Sequence, residues 1–198
     1  MRNILLFENY KNHTSFENIL KNENIFLNIF GNSLTIYDIN FLGKHNEYEG
    51  VLGCIGLTKY RNFFEVSRIA GEKGFGKILY ILAMEYSYPK PLVISRDCDI
   101  REDALKVIMK IKNEIPFNVN VKEFSSDDEN FVSELEDFPS YEESIEDNDL
   151  EMMKFYKLYN SEFYSNPFFI EKFKKENRII KNKRIDMLGH DYFDSKYF

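Results

Sequence analysis

The sequence predicts an α/β fold with a mixed sheet, in which an antiparallel half leads into one parallel strand–loop–helix–strand unit. Three observations carry this expectation. Apolar runs before residue 70 are short and separated by polar turns, as antiparallel hairpins require. A glycine-rich segment, Gly71-Glu72-Lys73-Gly74-Phe75-Gly76, then precedes a helical stretch that is apolar nearly all round and must be buried. Leu92-Val93-Ile94 is a brief continuous apolar run, the pattern of a strand covered on both faces in parallel pairing. At 198 residues and 23.7 kDa the chain suffices for one domain with an appendage and can bury a sizeable core.

Taken in order, residues 3–8 read as a first strand. Thr14-Ser15-Phe16-Glu17 is a capping box, whose hydroxyl and carboxylate satisfy orphan amides at a helix start. Phe16, Ile19, Leu20, Phe26, Leu27 and Phe30 follow at helical spacing, interrupted by Glu23, and Gly31 suits the stop. Two strands come next, Leu34–Phe41 and Tyr48–Thr58, joined as a hairpin by the polar turn around Gly43-Lys44-His45-Asn46. Gly50, Gly53 and Gly56 weaken the second strand or mark bulges in it. Phe63–Ala70 is the strand before the glycine loop, and Lys77–Tyr88 is the buried helix, ended by Pro89 and Pro91. Asp99-Ile100-Arg101-Glu102 caps a further helix with Ala104, Val107, Ile108 and Ile111 on its core side, and Pro116 stops it. Phe117, Val119 and Val121 alternate with polar residues as the last strand of a domain spanning 1–124.

Charge divides the rest. Net charge is −7, but residues 1–124 carry +1, residues 125–151 carry −12 with no basic residue, and residues 152–198 carry +4. The acidic block reads as a solvated linker or loop. Beyond it, Met152, Phe155, Tyr156 and Tyr159 form one helical face, and Asn166-Pro167 starts a second helix with Phe169, Ile170 and Phe173. Lys174–Arg184 reads as a solvated face or tail. The expected organisation is therefore 1–124 as the domain, 125–151 as an acidic linker, and 152–198 as a helical C-terminal extension that docks back or meets a protein partner.

Several function classes are excluded. No apolar run approaches the roughly 20 residues that span a bilayer, and the apolar stretch after Met1 breaks at Glu8, so no secretory signal is expected. Cys54 and Cys98 show no metal-ligand spacing, and His13, His45 and His190 lie far apart, which argues against a histidine-based metal hydrolase. A reducing, cytoplasmic setting fits, with neither membrane nor nucleic acid as a partner.

The glycine loop is where chemistry is sought. Asn, Ile, Lys, Phe and Tyr abound, as AT-rich codons favour, so scarce small residues are informative. The chain has only three alanines, Ala70, Ala83 and Ala104, and all fall around this loop. Glycines let backbone approach a ligand, and a helix start presents unpaired N–H groups to phosphate oxygens. Arg68, Lys73 and Lys77 add positive charge. The bland alternative is a tight strand-to-helix turn that binds nothing. A dinucleotide fingerprint starting at Gly74 fails because its third glycine would be Leu79. A nucleoside-triphosphate loop matches at Gly71, Gly76 and Lys77, but Ile78 stands where a magnesium-binding hydroxyl is needed, leaving this a distant alternative.

The run Gly71–Gly76 followed by Lys77-Ile78-Leu79-Tyr80 resembles the GNAT N-acyltransferase superfamily, whose signature is [QR]-x-x-G-x-[GA] between its fourth strand and third helix. The Gly-Phe-Gly-x-x-Leu-Tyr run, the helix Ile81-Leu82-Ala83-Met84-Glu85, the cluster Ser95-Arg96-Asp97 and Ala104 are similar to divergent GNAT-like proteins of tailed bacteriophages. The specific match covers about residues 63–112, and the element order extends it to about 1–124. The resemblance implies a GNAT-like fold and acyl transfer from acetyl-coenzyme A, or another acyl-coenzyme A, to an amine of a small molecule or protein. It implies pantetheine pairing along the strand at Val66 and Arg68, in a gap where the fourth and fifth strands part. Pyrophosphate would sit at Gly71, Lys73, Gly74, Phe75, Gly76 and Lys77.

Glu65, one residue before the pairing positions, is the candidate general base if it faces that gap; otherwise it faces solvent across the sheet. Asp97 reads as a helix-start or ion-pair residue, and Ser95 as a backbone cap. Two positions depart from the family pattern. Gly71 stands where Gln or Arg is usual, and Ile108 where many members carry the tyrosine that protonates the departing thiolate. The rival reading is a phage-encoded binding or virion protein that keeps the fold without the chemistry. Host cytoplasm, or association with a virion, is the corresponding location.

Overall fold

The computed structural model describes residues 21–42, 49–61, 63–90, 92–94, 106–107, 119–125, 154–160 and 168–197. These make a mixed α/β fold that divides into two compact units, one within Met1–Gly56, Ile69–Leu82 and Pro167–Phe198, the other within Leu57–Arg68 and Ala83–Asn166. Strand β1 (Ile25–Phe30) and strand β2 (Ser33–Asp38) begin the first unit. They form an antiparallel hairpin from Ile25↔Asp38 to Phe30↔Ser33, turned by Gly31 in the left-handed region at φ 57°. Strand β3 (Val51–Lys59) pairs antiparallel with β2, as its sequence predicts. The register passes from Ile36↔Gly53 to Tyr37↔Val51, so Leu52 is the extra residue of a bulge. Strand β4 (Phe64–Gly71) follows, then helix α1 (Gly76–Ser87) and strand β5 (Leu92–Ile94).

Segment 25–30, expected to end the first helix, is a strand instead. Phe26 and Phe30 are four residues apart, a spacing that one helix face and one strand face share. Tertiary pairing decides between them: Ile25 and Leu27 are fully buried on one side of β1, while the end residue Phe30 is 37% exposed. The strand at 3–8 and the capping box at Thr14–Glu17 lie outside the described residues.

Glycines set the layers of the first unit. A Cβ on Gly53 would meet Leu79 Cδ1 at 2.9 Å, and one on Gly71 would meet it at 3.2 Å, so the first turns of α1 pack closely over β3 and β4. Gly53 thus serves close packing, and Gly50, at φ 93°, forms the turn into β3. Neighbouring residues of opposite pleat, Cys54 and Ala70, share a buried cluster with Val51 and Tyr192. Tyr192 belongs to helix α3 (Lys183–Tyr197), so this unit carries a helix on each face of its strands.

Residues 168–197 are integral to this first unit. Helix α2 (Phe168–Lys175) forms as expected, burying Phe169 and Phe173; its proposed start at Asn166-Pro167 lies outside the described residues. It ends in a Schellman motif. Asn177 takes φ 55°, its N–H donates to Lys174 O at 3.1 Å, and Arg178 N–H donates to Phe173 O at 2.7 Å. Strand β8 (Ile179–Ile180), the last in chain order, pairs parallel with β1 at Leu27↔Ile179. Asn182 then caps α3, accepting from Arg184 N–H at 2.9 Å. The expected solvated tail over Lys174–Arg184 is therefore corrected at its centre. Arg178 is 3% exposed, donates to the carbonyls of Asn22 and Ile25 at 2.9 and 3.0 Å, and lies over the Phe173 ring. The Ile25 carbonyl on the β8 side of β1, and the Asn22 carbonyl that also accepts from Ile25 N–H at 3.1 Å, draw the guanidinium inward.

In the second unit β3 turns into β4, closed by Tyr60 N–H donating to Phe63 O at 3.0 Å. Strand β5 pairs parallel with β4 through Phe64↔Leu92 and Glu65↔Val93, the parallel relation expected from its apolar run. Strand β6 (Val119–Ser125) and strand β7 (Lys154–Asn160) form an antiparallel pair from Val119↔Asn160 to Ser125↔Lys154. Strand β7 also pairs antiparallel with β5, giving the order β4-β5-β7-β6. The expected helical face is corrected at Phe155, Tyr156 and Tyr159, because 154–160 is a strand, while Met152 lies outside the described residues. A four-residue spacing such as that of Phe155 and Tyr159 fits the strand period as well as the helix period, and β5 and β6 supply ladder partners on both edges. Most of the acidic block, and the helix expected around Ala104 apart from 106–107, lie outside the described residues.

Candidate functional site

The glycine loop lies in the first unit, between the end of β4 and the start of α1. It is built from within. Glu72 N–H donates to Leu52 O at 2.9 Å and ties the loop to β3, and Phe75 N–H donates to Glu72 O at 3.0 Å and closes the turn. Leu79 N–H donating to Phe75 O at 3.1 Å continues into the helix. Phe75 is 1% exposed, so its ring anchors the loop in the core. Gly74 sits at φ 98°, where a side chain is strained, and Lys73 and Gly74 form the exposed tip. Lys77, in the first turn of α1, is half-buried.

An acidic side chain complicates this basic tip. Glu72 Oε1 accepts from Tyr192 OH at 2.9 Å, and Tyr192 is itself buried among Val51, Cys54 and Ala70. Helix α3 thereby draws the carboxylate toward the face of the strands opposite α1. No local sequence signal points to this bond, whose partners are 120 residues apart.

The second unit holds the other candidate residues. Along β4, Phe64 and Val66 are buried while Glu65 is half-buried and of opposite pleat. Glu65 Oε2 accepts from Tyr60 OH at 3.2 Å, and the Tyr60 ring stacks on Phe63 at 4.6 Å. Burial, and then the neighbouring Glu65 carboxylate, push the Tyr60 phenol up to about 12, so it stays protonated and donates at neutral pH. Lys90 Nζ braces this turn by donating to Tyr60 O at 2.8 Å and to Arg61 O. It also lies 5.9 Å from the centre of the Phe64 ring, against which Tyr86 packs edge-on. Arg68 is half-buried. The hairpin brings Tyr60 to Glu65, a pairing the sequence reading missed although a turn between two strands was its available signal.

Neither a family model, nor a curated protein, nor a solved structure matches the chain. Strand β4 carries Glu65, Val66 and Arg68 and leads directly into Gly71–Lys77, so these candidate positions are consecutive along one strand, loop and helix. Ser95, Asp97 and Ile108 lie outside the described residues. Among the described residues, no group of His, Cys, Asp and Glu could hold a metal ion, and no helix is long and apolar enough to cross a membrane.

Proposed function

We propose that the protein is an acyl-coenzyme A-dependent N-acyltransferase of GNAT type, acting on an amine of a small molecule or a protein. The observation that carries this reading is the path of β4: a strand runs into an exposed glycine turn with Gly74 at φ 98°, then into a buried helix, and the chain returns in β5 parallel to β4. Pairing to β5 includes Phe64 and Glu65, and β4 continues to Gly71. The loop also suits an anion in its own right, since the backbone is accessible at Lys73 and Gly74 and the one carboxylate in the loop is held by Tyr192.

When bound, acyl-coenzyme A supplies a thioester carbonyl open to attack. In this reading Glu65 takes the proton that the amine must lose, directly or through water. The amine nitrogen then bonds to the acyl carbon, the C–S bond breaks, and the sulfur departs as thiolate. Lys73, Gly74 and Gly76 meet the pyrophosphate, while the Phe75 amide is already committed to Glu72.

Coenzyme A is expected to raise the thermal midpoint, because a ligand bound by the folded state alone stabilises it. Gly74→Val should abolish that rise, since a branched side chain is strained at its positive φ and would stand over the exposed backbone that a ligand must approach. Absence of any shift with the native chain at millimolar coenzyme A would refute the reading. A second reading, a binding or virion protein that keeps this architecture without catalysis, is favoured by Ile108 in place of the family tyrosine. Coenzyme A binding without acetyl transfer to a panel of amines would select it.

A further inference from the structure

We infer that Tyr192 is a positioning residue for the glycine loop: its hydroxyl holds the Glu72 carboxylate on helix α3 and thereby keeps the loop tip ordered and open to an anion. The geometry is specific. Side chains alternate along β3 and β4, so Gly53 and Gly71 face α1 while Cys54 and Ala70 face α3. Glu72, next after Gly71, falls on the α3 side, where Tyr192 OH donates to its Oε1 at 2.9 Å.

Tyr192 is well fixed to do this. Its ring is 3% exposed and packs with Val51, Cys54 and Ala70. One turn earlier, Cys54 Sγ–H donates to Gly189 O at 3.0 Å, and a Cβ on Gly189 would meet Thr35 Oγ1 at 2.7 Å. The helix is therefore seated at close range on both β2 and β3, and the phenol has little freedom to leave Glu72.

Two consequences follow for the loop. Its second residue is held twice, by Leu52 O through the backbone and by Tyr192 through the side chain, and Glu72 O in turn accepts from Phe75 N–H. Loss of the phenol removes one of these restraints and lets the carboxylate turn toward Lys73 and Gly74. A carboxylate turned to the tip repels a phosphate and competes for Lys73 or Lys77. The effect on anion binding rests on the acyltransferase reading; the effect on loop order does not.

The test uses the full chain with Tyr192→Phe, which keeps the buried ring and removes only the hydroxyl. Amide hydrogen exchange without ligand is expected to quicken at Glu72 and Phe75, whose N–H groups donate to Leu52 O and Glu72 O, by roughly tenfold, the scale of one hydrogen bond to a charged group. Exchange across β1 and β2 should be unchanged. Unchanged exchange at the loop, or equal acceleration throughout, overturns the inference. In coenzyme A titrations, Tyr192→Phe should weaken binding several-fold, and Tyr192→Phe with Glu72→Gln should recover most of the loss because the negative charge near the tip is gone. Failure of the double variant to recover would overturn the charge part of the proposal. If the native chain binds no coenzyme A, the acyltransferase reading falls, and the exchange measurement still decides the role of Tyr192.

Discussion

Gly189 illustrates how much a single position can govern. Residues on a helix that packs on a sheet usually bring side chains to the contact, but here the backbone itself meets Thr35 and Cys54. A Cβ at Gly189 would stand 2.7 Å from Thr35 Oγ1 and 3.3 Å from Cys54 Cβ. Gly189→Ala should therefore lower stability by about 1–3 kcal/mol, the usual cost of overpacking, despite the better helix propensity of alanine. Denaturant titration would check this, and an unchanged or higher midpoint would contradict the close seating of α3. Tyrosines set a second expectation at this scale. Burial pushes the Tyr37 phenol up to about 12, and Tyr60 reaches a similar value. The unfolded chain ionises these groups near pH 10, so above that it binds fewer protons than the folded chain. Stability is then fully present below pH 10 and falls as pH rises toward 12. Unfolding measured across pH 9–12 beside tyrosinate absorbance should show that loss.

Short elements in the first unit depend on partners supplied by distant sequence. Strand β8 has only two residues, yet its neighbours on each side are fixed by strong polar contacts. Before it, Arg178 donates to Asn22 and Ile25 carbonyls and pairs with Glu176. After it, Asn28 exchanges two bonds with the Asn182 backbone, accepting from its N–H at 2.8 Å and donating to its carbonyl at 3.1 Å. Asn28 is fully buried, so both bonds are made away from water, where an unmet amide is costly. Arg178→Met should keep the aliphatic packing on Phe173 but remove the guanidinium donor from Ile25 O and from Asn22 O, which keeps only Ile25 N–H. A loss on the order of 2–4 kcal/mol is expected, with Lys181→Met, at an exposed position on the same connection, as a near-neutral control. Equal effects of the two substitutions would show that Arg178 contributes only through its stem.

Across the whole molecule, each unit is assembled from separated stretches of chain. Strands β3 and β4 and helix α1 each contribute residues to both units, and the first unit also takes in Pro167–Phe198. Removal of residues 183–198 should accordingly expose the interior of the first unit. Cys54, 2% exposed and bonded to Gly189 O, provides the reporter. With Cys98→Ser to leave one thiol, the full chain should react slowly with a thiol reagent and the shortened chain fast. Equal rates would mean that α3 does not cover Cys54. Long-range pairing of this kind also slows folding, because loops must close before such contacts form. The bond between Asn28 and Asn182 spans 154 residues.

The sequence by itself determined the elements whose patterns admit one solution. The strands around Leu34 and Val51 pair antiparallel, Gly71–Gly76 separates a strand from an apolar helix, and Leu92–Ile94 lies parallel to the preceding strand. It also located the candidate residues Glu65 and Gly71–Lys77, which follow one another along the chain. Tertiary structure alone decided the segments whose spacing fits two periods. Phe26 with Phe30, and Phe155 with Tyr159, are each four apart, and four residues return to the same side of both a helix and a strand. Only β2 beside the first pair, and β5 and β6 beside the second, made strands the outcome. The same holds for the loop: its glycines are legible in order, but the hydroxyl that holds Glu72 arrives from 120 residues away. Local periodicity encodes which face of an element is apolar, whereas the partner that buries that face, or satisfies its polar groups, exists only once the chain has folded.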